Sequence, residues 1–192
     1  IKLLKKLKIN YLYIPTSKDI YGFKPRNKIF LDKSSKKLCG KFRKGHFEGV
    51  LNVVNRFIEI IRPKYIYLGK KDYQQLFLIK RHIEKRKIKS RIVECETIRE
   101  NNGVACSSRN SKLNKNQIKI ASYIYDYLSN LKKKIRINYN FFNINEIRKD
   151  LINLGANKVD YVENYNIKNF KRIIKSNRNF KLFFAYYIKN IR

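Results

Sequence analysis

From Phe47 onward, apolar side chains recur at Val50, Leu51, Val54, Phe57, Ile58 and Ile61, three or four residues apart. That spacing predicts a helix with one face laid on a sheet, stopped by Pro63, whose ring cannot continue a helix. The aromatic and β-branched run Tyr65 to Leu68 then predicts a buried strand. The strand ends at Gly69 and two lysines follow. Helical periodicity reopens at Asp72, a suitable N-cap, with Leu76, Ile79 and Ile83 on the buried face. Residues 91–95 (Arg-Ile-Val-Glu-Cys) predict the next strand. Strand, helix and strand in this span imply a right-handed parallel crossover. Upstream, Lys2 to Lys8 reads as the end of an amphipathic helix and Tyr11 to Ile14 as a strand halted by Pro15. Asp19 to Pro25 reads as a loop, Ile29 to Leu31 as a short extended piece, and Asp32 to Gly45 as a polar, basic stretch.

Around Ile98 the character changes. Arg99 to Asn110 is polar and contains Gly103, as expected of a hinge or mobile loop. A long helix follows with Ala121, Ile124, Leu128, Leu131 and Ile135 on one stripe. A second helix carries Ile144, Ile147, Leu151 and Leu154, with Gly155 placed to end it. Val159 to Glu163 and Phe180 to Ile188 read as strands. The expected class is therefore α/β: a parallel sheet with helices, joined near residue 97 to a small α+β lobe. No internal repeat or low-complexity linker interrupts it.

Composition narrows the class. A chain of 192 residues, 43% hydrophobic, can bury one good core, or one core and a small second lobe. No apolar run approaches the ~20 residues that span a bilayer. The opening Ile1-Lys2-Leu3-Leu4-Lys5-Lys6-Leu7 lacks the apolar centre and cleavage site of a secretion signal. Three cysteines, Cys39, Cys95 and Cys106, have no paired metal-ligand spacing, so reduced thiols and no protein-held metal are expected. The formal charge of +32 would ordinarily suggest nucleic acid. Yet the lysines are spread along the chain and accompany abundant Ile, Asn, Tyr and Phe, residues with AT-rich codons. Compositional drift is the favoured reading, with salt-sensitive, non-specific attraction to RNA as its by-product and no specific nucleic-acid or membrane partner.

Candidate chemistry begins at Gly69-Lys70-Lys71-Asp72, where a strand delivers the chain to the start of a helix. A glycine leaves room for a ligand against the backbone, and lysines at a helix N-terminus favour anions. Gln75 falls in the first helical turn, beside the strand's carboxyl end, where open α/β sheets bind ligands. Alone, this is also compatible with an ordinary strand-turn-helix carrying solvated lysines. Three more segments accompany it: Gly40 to Val50, Thr97-Ile98-Arg99-Glu100, and Gly103 to Asn110 with its Ser107-Ser108-Arg109-Asn110. In this order and at these separations, the set closely resembles the pantothenate synthetase (pantoate–β-alanine ligase) family. Members of that family typically show Arg-Pro-Gly-His-Phe, Gly-x-Lys-Asp-x-Gln-Gln-Leu, Pro-Thr-Val-Arg-Glu and Ser-Ser-Arg-Asn.

The resemblance implies the C-terminal portion of a Rossmann-like, nucleotidyltransferase-type parallel-sheet domain in residues 1–97. A small α+β domain in residues 98–192 would close over the ATP site. It further implies ATP as co-substrate, Mg²⁺ bound through the ATP phosphates, pantoate and β-alanine as substrates, and a cytoplasmic homodimer. Matched residue by residue, Gly69, Lys70, Lys71, Asp72, Ile98, Cys106, Ser107, Ser108 and Arg109 would contact ATP, Ile98 and Cys106 mainly through backbone. Lys71, Ser107, Ser108 and Arg109 would serve catalysis, Gln75 would bind pantoate, and Arg43 and His46 would support the site. Gln74 is expected to face elsewhere, and His82, outside any motif, to be a partly exposed helix residue. Lys44, Glu96 and Cys106 depart from the family pattern, which has proline at the first two positions and Met or Leu at the third. The family's upstream His-x-Gly-His has no counterpart here, and there is no methionine, so the chain is expected to lack an N-terminal segment and full activity alone. Two alternatives come from other classes: an inactive, basic nucleotide- or RNA-binding remnant, and another adenylate-forming enzyme such as a tRNA synthetase-like protein. The Gly-Lys-Lys-Asp-x-Gln-Gln spacing opposes the second.

Overall fold

A computed structural model describes residues 1–22, 24, 28–173 and 179–192. Its elements in chain order are α1 (Lys2–Lys6), α2 (Ser17–Tyr21), α3 (Cys39–Phe42), α4 (His46–Ile61), β1 (Tyr65–Gly69), α5 (Tyr73–Lys85), β2 (Arg91–Cys95), α6 (Lys115–Ile137), α7 (Ile144–Asn153), β3 (Lys158–Asn166) and β4 (Phe180–Tyr187). The class is α/β, with β1 and β2 parallel and β3 and β4 antiparallel. Among the described residues no helix is long and apolar enough to cross a membrane.

The predicted stripes pack α4 and α5 against the parallel pair. Leu51 and Ile58 of α4 meet Ile79 and Ile83 of α5, with Ile66, Leu68 and Ile92 beneath them. The strand expected to be buried is covered on one face only. Ile66 and Leu68 point inward, while Tyr65 and Tyr67 stay 43% and 68% exposed, the two-residue alternation of a half-buried strand.

Upstream of α4 several expectations fail. Helix α1 stops at Lys6 and buries no residue. Tyr11 to Ile14 forms no strand, because no strand among the described residues lies beside it to take its backbone hydrogen bonds. Asp19 to Tyr21, expected as loop, completes α2. Thr16 caps that helix by accepting from the Asp19 amide at 3.3 Å, while the Asp19 carboxylate accepts from the Thr16 amide at 2.7 Å. Phe23 and Pro25, in the same expected loop, lie outside the described residues. Ile29 to Leu31, expected as a short extended piece, lies outside helix and strand and has no strand partner among the described residues. The polar stretch after Asp32 wraps Leu38, which is fully buried. Gln74 clamps it: the amide nitrogen donates to the carbonyls of Ser34 (2.9 Å) and Lys37 (2.7 Å), and the amide oxygen accepts from the Cys39 N–H (3.1 Å).

His82 is fully buried, contrary to its expected exposure. Its Nδ1 accepts from the Phe30 N–H at 3.0 Å, which leaves the ring proton on Nε2 to donate to Asn55 Oδ1 at 3.1 Å. Burial, with Arg86 adding to it, pushes the imidazole below its ordinary pKa. The unfolded chain then binds more protons than the folded one as pH drops below about 6.5. Stability is therefore expected to be fully present above that value and to be lost as pH falls towards the depressed pKa. Thermal melting between roughly pH 7 and 5 checks this: His82→Gln should flatten the slope, and the residual slope reports groups such as His46, also shifted downward.

The second lobe follows its pattern closely. Ala121, Ile124, Leu128, Leu131 and Ile135 of α6 are all buried, and an Asn114–Gln117 capping box starts the helix. Gly155 ends α7 with a φ of +107°, a conformation that costs glycine little. β3 runs three residues beyond its expected end at Glu163. A third cluster joins the lobes: Leu38 and Phe77 pack against Tyr161, Tyr165 and Phe170, with Tyr73 and Phe183 at its edge. The Phe77 and Phe170 rings stack at 4.8 Å and those of Tyr165 and Phe170 at 4.9 Å. This seam sets the hairpin against the start of α5.

Candidate active site

Because β1 and β2 are parallel and in register from Tyr65↔Arg91 to Gly69↔Cys95, both strands release the chain at the same edge. After β1, Lys70–Asp72 forms a single 3₁₀ turn, and α5 begins at Tyr73. Asp72 makes no capping hydrogen bond, contrary to its expected role, so the first amides of α5 have no side-chain cap. Gly69 has an ordinary φ of −73°; a side chain there would point into open space, so the glycine leaves room rather than permitting a turn. Lys70 pairs with Glu96, just past β2, and that hydrogen bond raises the lysine pKa and lowers the carboxylate's.

Lys71 joins the two halves of the site. Its Nζ donates to the Cys106 carbonyl at 2.9 Å, and the Cys106 amide donates to the Ile98 carbonyl at 3.0 Å. Between them Arg99 and Ala105 form an isolated antiparallel bridge. Gly103, expected in a hinge or mobile loop, turns at φ +80° against the Tyr125 ring, where a Cβ would fall 2.2 Å from a ring carbon. The Arg99 guanidinium covers that ring at 4.2 Å and donates to the Gly103 carbonyl at 2.9 Å, so the turn is pressed onto α6. Beyond it the Arg109 amide donates to Ser107 Oγ at 3.2 Å and the Asn110 amide to the Ser107 carbonyl at 3.0 Å.

These segments face one cleft of about 710 Å³. It brings together Lys70, Lys71, Asp72, Gln75, Ser107, Ser108 and Arg109, with Arg43 and His46 at its wall. Gly69, Ile98 and Cys106 do not line it. The Ile98 side chain is 72% exposed, and the Cys106 thiol donates to Glu100 at 3.2 Å, which pushes its pKa up. Seven lysine and arginine side chains line the cleft against a single carboxylate, Asp72. Such a surface with a low-dielectric wall attracts anions. Burial and the neighbouring Arg43 hold His46 below its ordinary pKa, with Asp72 opposing them. Among the described residues no group of three or more His, Cys, Asp or Glu side chains could hold a metal ion.

Among the cleft residues that sequence reading did not pick are Lys181, Tyr161 and Arg192. Lys181 reaches from β4 to lie 4.7 Å from the centre of the Tyr73 ring, and burial, then Lys132 and Lys70, push its pKa down. Tyr161 and Arg192 complete the far wall. In a chain with 46 lysines and arginines nothing local distinguishes these two cations. Gln74, expected to face elsewhere, also borders the cleft, although its amide is spent on the clamp described above.

Pantothenate synthetase from Flavobacterium psychrophilum is 33% identical over 188 residues, covering 94% of this chain and 65% of its own length. That from Francisella tularensis subsp. mediasiatica is 34% identical over 198 residues, covering 100% and 66%. The chain thus spans about two thirds of the length of these relatives. Among solved structures, the pantoate-beta-alanine ligase from Francisella tularensis, complexed with beta-gamma ATP and beta-alanine, superposes with a TM-score of 0.77 at 32% identity, covering 99% of this chain and 65% of that one. Pantothenate synthetase from Thermus thermophilus shares the fold, with a TM-score of 0.81 at 23% identity over 98% of this chain and 69% of its own. The family model described as pantoate-beta-alanine ligase matches residues 1–192 from end to end, and the chain belongs to that family.

Proposed function

We propose that this chain handles the nucleotide and pantoate in an ATP-dependent ligase that joins pantoate to β-alanine. In the first step a pantoate carboxylate oxygen attacks the α-phosphorus of ATP, and pyrophosphate leaves. In the second the β-alanine amine attacks the acyl carbon, AMP leaves with the bonding electrons, and the amine loses a proton to give pantothenate. No protein nucleophile is needed, so the protein contributes positioning and stabilisation of phosphate charge. Lys71, Ser107, Ser108 and Arg109 meet the phosphates, the guanidinium taking two oxygens at once. Lys70 and Asp72 border the nucleotide, with the backbone of Gly69, Ile98 and Cys106 behind them, outside the cleft lining. Gln75, an amide with both donors and acceptors, orients the hydroxyl and carboxylate of pantoate. Arg43 and His46 support that end. Mg²⁺ enters on the ATP phosphates, in keeping with a cleft lined by one carboxylate. Residues 1–97 form the nucleotide-binding domain and 98–192 the domain that closes over it, in a cytoplasmic homodimer.

The observation that carries this reading is the Lys71–Cys106 contact, which fastens the cationic turn after β1 to the loop bearing Ser107 and Arg109 across one cleft. It is tested by exchange of labelled pyrophosphate into ATP. Exchange is expected to require pantoate and to proceed without β-alanine; exchange indifferent to pantoate, or none, overturns the assignment.

A further inference from the structure

We infer that Arg192 is the carboxylate receptor for the amine-bearing substrate, an inference that rests on the ligase reading above. Arg192 follows β4 through a turn in which Ile188 and Ile191 exchange backbone hydrogen bonds of 2.9 and 3.1 Å. Its Nε lies 2.9 Å from Oδ2 of Asp160, whose side chain is 1% exposed. The contact is an ion pair rather than an aligned hydrogen bond. The guanidinium sits 5.8 Å from the centre of the Tyr161 ring, and Nη2 points at the Cys39 sulfur at 3.8 Å. A buried carboxylate behind and an aromatic face beside it therefore fix the group's direction. Nη1 has no acceptor among the described residues, while the residue lines the cleft.

Substrate chemistry selects the occupant. The ATP phosphates are met by Lys71 and the Ser107–Arg109 loop. The pantoate carboxylate is consumed, first as acyl phosphate and then as amide, so it cannot remain a charged ligand through both steps. The β-alanine carboxylate reacts in neither step and stays ionised throughout. It must be held while the amine at the other end attacks, and a fixed planar guanidinium suits that task. Arg109 Nη1 donates to the Arg192 carbonyl at 3.5 Å, so this subsite adjoins the loop assigned to the nucleotide.

The test compares kcat/KM for β-alanine with that for 3-aminopropan-1-ol, which keeps the amine and lacks the carboxylate. Arg192→Gln is expected to lower the preference for β-alanine about thirtyfold, through KM, with little change for the amino alcohol. Arg192→Lys, which preserves the charge beside Asp160, should recover part of it, and keeps the test open should the glutamine variant melt early. A preference unchanged in the lysine and glutamine variants, or an equal loss on both amines, overturns the inference. Pantoate-dependent pyrophosphate exchange by the unaltered protein is read separately: its presence with an unchanged preference sinks Arg192 alone, and its absence sinks the ligase reading with it.

Discussion

On the proposed ligase reading, Lys71→Ala is expected to slow formation of the pantoyl adenylate about a hundredfold or more, the loss typical of removing one preorganised donor aimed at developing charge. The ammonium is exposed and spends one donor on the Cys106 carbonyl, which leaves two for phosphate oxygens and holds the Ser107–Arg109 loop at the turn after β1. Because the side chain is exposed, its removal should leave the melting midpoint nearly unchanged. A single-turnover measurement of adenylate formation, alongside a thermal melt, separates the two effects. Arg109→Ala should behave alike, since its guanidinium faces the same cleft. Rates within tenfold of the unaltered protein in both variants would remove these residues from the chemistry.

Gln74→Ala should instead act on stability, by about 3 kcal/mol. It removes the one amide that pairs with three backbone groups, the carbonyls of Ser34 and Lys37 and the N–H of Cys39, and leaving a buried polar group unpaired costs roughly 1–3 kcal/mol. For a chain of this size that lowers the melting midpoint by roughly 6–12 °C. The adjacent residue provides the contrast. Gln75 is half-buried and lines the cleft, so Gln75→Ala should raise KM for pantoate while the melt barely moves. If calorimetry finds the larger destabilisation at Gln75, the division of labour between the two glutamines is wrong.

These two neighbours also mark where local reading stops. Spacing along α4, α5, α6 and α7 identified the buried stripes, because an amphipathic helix must repeat every 3.6 residues to keep one face dry. Short apolar runs gave β1 and β2, and four short motifs pointed to the family. Local reading failed at Tyr11 to Ile14, where a strand-like run has no partner among the described residues. It failed at His82 and Gln74 as well: both are polar residues on a helix, buried because distant backbone at Phe30 and at residues 34–39 satisfies them. No pattern local to α5 contains those partners.

What the sequence determined by itself was the α/β class, its helical stripes, and the turn and loop whose charges and hydroxyls suit a nucleotide. Only tertiary structure decided which other cations join them. The stacked seam of Phe77, Phe170 and Tyr165 sets β3 and β4 against the start of α5, and so brings Lys181 and Arg192 to the cleft wall. The physical reason is that periodicity records whether a residue is buried, whereas convergence of charge depends on packing between segments about a hundred residues apart.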